Sequence, residues 1–393
     1  MESFKNLPVD SDGALLIGRA WVPKGPTNPL EGPSIVAVCG QDVLDLSGTF
    51  ATCAELLDSD DPVAEAKEAI QHANILCSHE RLFSNSLETN RSCLPRLLSP
   101  IDLQCIKACG VTFAESFVER LIDEQSQGDV TQAEHLRDRI TKAIGTTLSQ
   151  IQPGSPKAQA VIKELAMAGI NSAYVEVALG PDAEVFTKSQ VLSSVGFGDE
   201  IGIHPSSSWN NPEPEIVLIS SPAGKVVGVT LGNDVNLRDI EGRSSLLLGK
   251  AKDNNASCAL GPFIRLLDSN FTIDDVRSAE VSLKVIGEDG FTLNGQSSMK
   301  YISRDILDLV EQTIGVHHQY PDGIALMTGT LFAPTQDRAR VGCGFTHKHG
   351  DRVLISCVLL GTLCNRVTST DSAPPWEFGI RALIQNLTAR GML

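Results

Sequence analysis

No apolar run in the 393-residue sequence approaches the roughly 18 residues that cross a bilayer, so a transmembrane helix is excluded. Near the start only Ala14 to Gly18 is apolar, too short for a secretory signal, and the expectation is a cytoplasmic protein. No CxxC pair occurs. The ten cysteines run from Cys39 to Cys364, and Cys105 and Cys109 stand at a helical spacing. Most lie among apolar neighbours, as in Ala37-Val38-Cys39, where a reduced thiol serves as a small hydrophobe. A disulfide scaffold is thereby excluded. Basic residues are also short: 32 Lys and Arg face 48 Asp and Glu, for a net charge of −16. That balance argues against nucleic-acid backbones and anionic membranes, both of which require a basic face. A small anionic substrate stays open, because a bound metal ion reverses the sign of charge locally. Neither internal repeats nor low-complexity tracts are present.

Two or three structural units fit the length. Residues 1–99 read as a small α/β cap, with Ser34 to Val38, Gly40-Gln41 and Val43 to Leu46 forming a hairpin. Residues 58–90 read as a helix followed by a variable loop. Residues 113–169 read as three helices: Phe113, Phe117 and Leu121 form one stripe, Thr131 to Gly145 carries a capping box and a glycine stop, and Ser155-Pro156 opens the third. From Tyr174 the periodicity turns to strands, through Val175, Val177, Val185, Val191 to Val195 and Ile216 to Ile219, and further at about 226–231, 279–286 and 352–358. A helix follows Ser303, and another runs from Trp376 to Ala389. The expected class is a β-rich α+β fold.

The densest polar run is Trp209-Asn210-Asn211-Pro212-Glu213-Pro214-Glu215. On a strand, Glu213 and Glu215 leave one face. Two like charges entering a core are costly unless a cation compensates them. With a turn at Ser221 to Gly224, the returning strand brings Asp234 within about two residues of Glu213. Three carboxylates without histidine or cysteine favour Mg²⁺, Mn²⁺ or Ca²⁺ over zinc; the alternative is a solvated acidic strand end. Lys252 ends the apolar run Leu246-Leu247-Leu248. A lysine buried near a divalent cation has its pKa lowered and can act as a general base; otherwise it is a surface lysine. Thr328-Gly329-Thr330 is a small polar turn able to offer N–H and hydroxyl groups to a carboxylate. His317 and His318, before Gln319-Tyr320-Pro321, read as structural or exposed, with lining of the pocket as the alternative; His347 and His349 lie in a Gly-rich loop without ligand spacing to the carboxylates.

Glu213-x-Glu215, Asp234-x-x-x-Arg238-Asp239, Lys252 with Gly261-Pro262, and Thr328-Gly329-Thr330 resemble, in order and spacing, the fumarylacetoacetate hydrolase superfamily. The match spans residues 100–393. More closely, Asn210 to Glu215, Gly232 to Arg243, Lys250 to Gly261 and Gly344 to Lys348 resemble its branch of bacterial 2-keto-3-deoxypentonate dehydratases. The resemblance implies a catalytic C-terminal domain of that fold with a helical lid, Mg²⁺ or Mn²⁺ on Glu213, Glu215 and Asp234, and a homodimer or homotetramer. Hydrolytic members carry a His–Glu dyad at the start of the lid. Here Glu119 keeps the glutamate, but Ser116 stands at the histidine position, which favours elimination over hydrolysis. The expected reaction is dehydration of a 2-keto-3-deoxypentonate to 2,5-dioxopentanoate. Lys252 is the base and Glu119 the acid (or the reverse), with Ser116 holding a water. Thr330 and Gly329 take the substrate carboxylate, and Arg238 supports the metal loop. An acylpyruvate or 2,4-diketo sugar-acid hydrolase, or a non-catalytic 2-oxo-acid-binding dimer, are the rivals.

Overall fold

The computed structural model describes all residues other than 1–4, 26–29, 89–92, 126–150, 168, 332–333, 335 and 339–343; the side chains of 114–116 and 123 are likewise outside the description. Strands β1 (Leu16–Val22), β2 (Gly32–Cys39), β3 (Asp42–Asp45), β4 (Asn74–Ser78), β5 (Arg96–Leu97) and β6 (Cys105–Gly110) come first. After them come β7 (Glu184–Ser189), β8 (Glu200–Ile203), β9 (Pro214–Ser220), β10 (Val226–Asp234) and β11 (Cys258–Leu266). The last are β12 (Glu280–Ile286), β13 (Thr292–Ser298), β14 (Ile324–Met327), β15 (Arg352–Cys357) and β16 (Gly361–Ser369). The helices are α1 (Cys53–Leu57), α2 (Pro62–His72), α3 (His79–Leu87), α4 (Ala114–Gln125), α5 (Pro156–Met167), α6 (Ala173–Leu179), α7 (Arg238–Glu241), α8 (Leu248–Lys252), α9 (Ile273–Arg277), α10 (Ile306–Thr313) and α11 (Ile380–Ala389).

Two sheets result. The larger has the order β4-β3-β2-β1-β11-β10-β9-β14-β6-β7, with β5 paired to β1; the smaller runs β13-β12-β15-β16-β8. In β9 every residue is buried, and its alternation feeds two cores. Ile216 and Leu218 pack between the sheets with Val281, Leu283, Val353 and Ile355. Val217 and Ile219 face the opposite side and join Leu56, Leu57, Ala66 and Ala69 of α1 and α2. A third cluster, built from Phe117, Leu121, Ala158, Leu165, Tyr174 and Val175, ties α4, α5 and α6 together. Residue 99 falls between β5 and β6, and strands from both sides of it share the larger sheet, with β1 hydrogen-bonded to β11. No helix among the described residues is long and apolar enough to cross a membrane.

The β-rich α+β class, the first hairpin and the helix after Ser303 are as expected, and Ser155 accepts a hydrogen bond from the Ala158 amide (3.2 Å) at the start of α5. The expected helix over Thr131 to Gly145 lies outside the described residues. Other expectations are corrected. Residues 58–90 hold α2, β4 and α3 instead of one helix and a loop. The strand read from Tyr174 is α6: Tyr174, Val175, Ala178 and Leu179 are buried at helical spacing, and the Ser172 hydroxyl caps the first turn. Val191 to Val195 forms no strand, because Leu192 has φ +65° and only Val195 bridges a neighbour, Ala259. The last helix begins at Ile380, not Trp376, after Pro374 and Pro375 hold the chain extended.

Candidate active site

The site is built on the β9–β10 hairpin. Cross-strand pairs Gly232↔Glu215 and Asn233↔Pro214 set its register, and the Asp234 amide donates to the Glu213 carbonyl at 3.1 Å. The third carboxylate therefore lies directly across from the first, inside the two-residue range expected from the turn at Ser221 to Gly224, with a register shift between Val226 and Gly228 setting the final pairing. One oxygen each of Glu213, Glu215 and Asp234 fall within 4.8 Å of one another, and all three residues are buried. Between them Gly232 keeps the face flat: a Cβ there would meet Val217 and Met327 side chains at 2.6 Å.

Cations crowd this cluster. The Lys252 Nζ lies 2.5 Å from Glu213 Oε2 and 3.0 Å from Asp234 Oδ2. On the far side of Asp234, Lys188 Nζ is 2.9 Å from Oδ1, and this fully buried ammonium also donates to the carbonyls of Val235 and Lys252. From α4, Arg120 reaches Glu213 Oε1 at 2.6 Å and Glu241 Oε2 at 2.5 Å. Glu215 stands apart. Its Oε2 accepts from the Gly329 amide at 2.7 Å, while the buried Oε1 has no partner. Burial, followed by the charges of Asp234 and Glu213, pushes the Glu215 carboxyl well above the usual range. Burial also raises Glu213 against the pull of Lys252 and Arg120. Asp234 is buried too, but the two lysines outweigh that cost and hold it low.

The lowered Lys252 pKa was expected beside a bound cation; the protein groups alone push it the other way. Burial does favour the neutral amine, yet Asp234 and Glu213 at contact distance raise the pKa instead. An all-oxygen donor set with an unpartnered buried oxygen fits a hard divalent cation. The other expected residues divide. Thr330 lines the small cleft over Glu213 and Lys252. Gly329 spends its amide on Glu215, a different use from the substrate contact expected; its φ is +98°, and a Cβ would strike the Thr112 hydroxyl at 2.0 Å. Arg238 stacks over Trp209, 4.2 Å from the ring centre, and pairs with Glu119 at 3.3 Å. Ser116 lies in α4, and its side chain is among those outside the description. Lys250, His317, His318 and His349 are exposed; His347 is buried, 3.4 Å from Asp351.

Sequence reasoning missed Arg120, Lys188, Glu184 and Glu241. Glu184 lines the same cleft, and burial, then the charge of Glu241, pushes its pKa up to about 7. A signal did exist: Glu184 and Phe186 alternate on one face of β7, and Lys188 follows two residues on, between Thr187 and Ser189. Nothing local, however, tells which sheet face they meet.

Residues 177–368 match the fumarylacetoacetate (FAA) hydrolase C-terminal family model. Over 184 residues it is 31% identical to a 2-dehydro-3-deoxy-D-arabinonate dehydratase of Saccharolobus solfataricus, covering 47% of this chain and 58% of the relative. It is also 31% identical over 196 residues to a probable 2-keto-3-deoxyxylonate dehydratase of Haloferax volcanii, covering 50% and 64%. The chain thus spans about six-tenths of the length of these relatives. Among solved structures, 2-keto-3-deoxyarabinonate dehydratase superposes with a TM-score of 0.59 at 22% identity, over 90% of this chain and 99% of that one. The likeness establishes the fold.

Proposed function

We propose that the chain is a metal-dependent hydro-lyase that converts a 2-keto-3-deoxypentonate to 2,5-dioxopentanoate. The observation that carries the reading is the three-carboxylate cluster, in which Glu215 keeps one buried oxygen unpartnered and Lys252 stands between the other two. Support comes from the two dehydratase relatives and from a solved structure of a 2-keto-3-deoxy-D-arabinonate dehydratase complexed with magnesium and 2,5-dioxopentanoate, which covers 90% of this chain at 21% identity. Glu213, Glu215 and Asp234 would hold Mg²⁺ or Mn²⁺. When bound, the cation would supply Lewis-acid stabilisation of an enolate and take over charge compensation of these carboxylates.

The chain's own groups do the proton work. Lys252 removes a proton from C3. The C4–O bond then breaks, and the hydroxyl leaves as water on receiving a proton. The remaining allylic alcohol shifts a proton from C5 to C3, which gives the C4=C5 enol; loss of the enol hydroxyl proton and protonation of C4 then yield the aldehyde. Glu184, in the cleft with a pKa near 7, is the carboxyl best suited to hold that proton. Glu119, tied to Arg238, is the second candidate and would act with Ser116 from α4. Thr330 orients the substrate carboxylate end. A homodimer or homotetramer in the cytoplasm, with residues 1–99 as a cap, completes the proposal; light scattering reporting a monomer at micromolar concentration counts against the assembly.

The test is turnover of 2-keto-3-deoxypentonate, followed as 2,5-dioxopentanoate, by chelator-treated protein with and without Mg²⁺. Metal-restored product formation is expected. Efficient pyruvate release from an acylpyruvate shows a hydrolase instead, and binding of 2-oxo acids without turnover shows a silent member.

A further inference from the structure

One cross-strand pair beyond Glu213 and Asp234, the same hairpin face carries two asparagines. Asn211 and Asn236 exchange backbone hydrogen bonds at 3.0 and 3.1 Å, in phase with the pairs that place the carboxylates. Flanking Asn236, Val235 and Leu237 are buried in the core between the sheets, so its side chain takes the opposite, carboxylate face. Both asparagines are fully buried. The Asn211 amide nitrogen donates to the Pro212 carbonyl at 2.9 Å, but Asn211 Oδ1 and both polar atoms of Asn236 have no partner. Leaving such atoms unmatched in a core is costly, and the group that satisfies them must both donate and accept. It must also be neutral, because an anion would face three carboxylates and a cation would find no charged ligand on the amides.

We infer that Asn211 and Asn236 form a hydroxyl-binding subsite beside the carboxylate cluster, which deepens, and rests on, the metal-centre reading above. A two-residue step along a strand is about 6–7 Å. A ligand whose carboxylate and 2-oxo oxygens are held through a divalent cation on Glu213, Glu215 and Asp234 would then present its terminal hydroxyl to the asparagine pair. A water held beside the metal is the other source of the same chemistry.

The test is titration calorimetry on the Mg²⁺-loaded chain with 2-oxopentanoate and 5-hydroxy-2-oxopentanoate. These share the chelating end, lack the C4 leaving group and differ by one hydroxyl. The wild type should bind the hydroxylated acid about tenfold more tightly, and Asn236→Ala and Asn211→Ala should erase that preference while leaving oxalate binding unchanged. Asn236→Ser, which keeps a donor and acceptor in a small side chain, should restore part of it and guards against a misfolded alanine variant. Equal weakening of both acids together with Mg²⁺ itself assigns the subsite to a metal-held water. Unaltered preference and unaltered Mg²⁺ affinity in all three folded variants overturns the subsite. Absence of Mg²⁺-dependent oxalate binding by the wild type overturns the metal reading instead.

Discussion

Glu215 and Asp351 are both buried carboxylates, and burial pushes both toward the neutral acid, yet they end on opposite sides of their usual range. Asp351 receives a two-pronged grip from Arg338 Nη1 and Nη2, a contact from His347 Nδ1 at 3.4 Å and the Lys348 amide at 2.9 Å. Its charge is paid for, and its carboxyl sits low. Glu215 receives one amide, from Gly329, and faces two further carboxylates. A buried charge with matched donors is structural; one left short of them is held ready for a ligand that brings positive charge. The inventory of residue types would not separate the two. The count of donors does.

The comparison breaks most sharply at Glu215. Glu215→Gln should abolish metal-dependent turnover and weaken Mg²⁺ binding while the fold persists. Because the folded pKa is raised, the ionised carboxylate costs stability as pH rises above its ordinary value near 4.5, so the variant should melt higher than wild type at pH 7 in metal-free buffer and match it near pH 4. A lower melting temperature at pH 7 would contradict the assignment. Next, Lys252→Ala should reduce turnover by about 10²–10⁴-fold, the usual range for loss of one acid–base group, with protein still folded by circular dichroism. Activity within a few-fold of wild type would remove Lys252 from the chemistry.

The opposite sign is expected at Asp351. Asp351→Asn leaves the buried Arg338 with Asp289, at 3.2 Å, as its remaining carboxylate and should destabilise by about 1–3 kcal/mol, measured by denaturant unfolding at pH 7. In the wild type this contribution is present above the ordinary carboxylate pKa and is lost as pH falls through the lower folded value. A variant as stable as wild type would erase the contrast with Glu215. The smallest effect sharpens the role of Glu184. With its pKa at about 7, the pH profile of kcat/KM should show a limb near pH 7 that Glu184→Gln removes. An unchanged limb assigns that proton to another group, with Glu119 the first alternative.

Periodicity and turn chemistry alone determined the heart of the site. Period-2 alternation puts Glu213 and Glu215 on one face, and a turn at Ser221 to Gly224 brings Asp234 within about two residues of Glu213; a register shift between Val226 and Gly228 then sets it directly opposite. These are local consequences of strand geometry, so they can be read without a fold. The motif resemblance added the family, which the match over residues 177–368 bears out. Local reading failed where alternation misleads: Tyr174, Val175 and Val177 look like a strand until Ser172 caps a helix there. It failed more deeply for charge. Beside a cation Lys252 was expected to be driven neutral; among the protein's own groups, the contact distances to Glu213 and Asp234 hold its pKa up. Arg120, Lys188, Glu184 and Glu241 reach the cluster from α4, β7 and α7, whose positions depend on sheet order and on the helical packing over it. The physical reason is range. Backbone periodicity is fixed within a few residues, whereas the protonation of a buried group is set by whichever charges tertiary packing brings within about 4–6 Å of it.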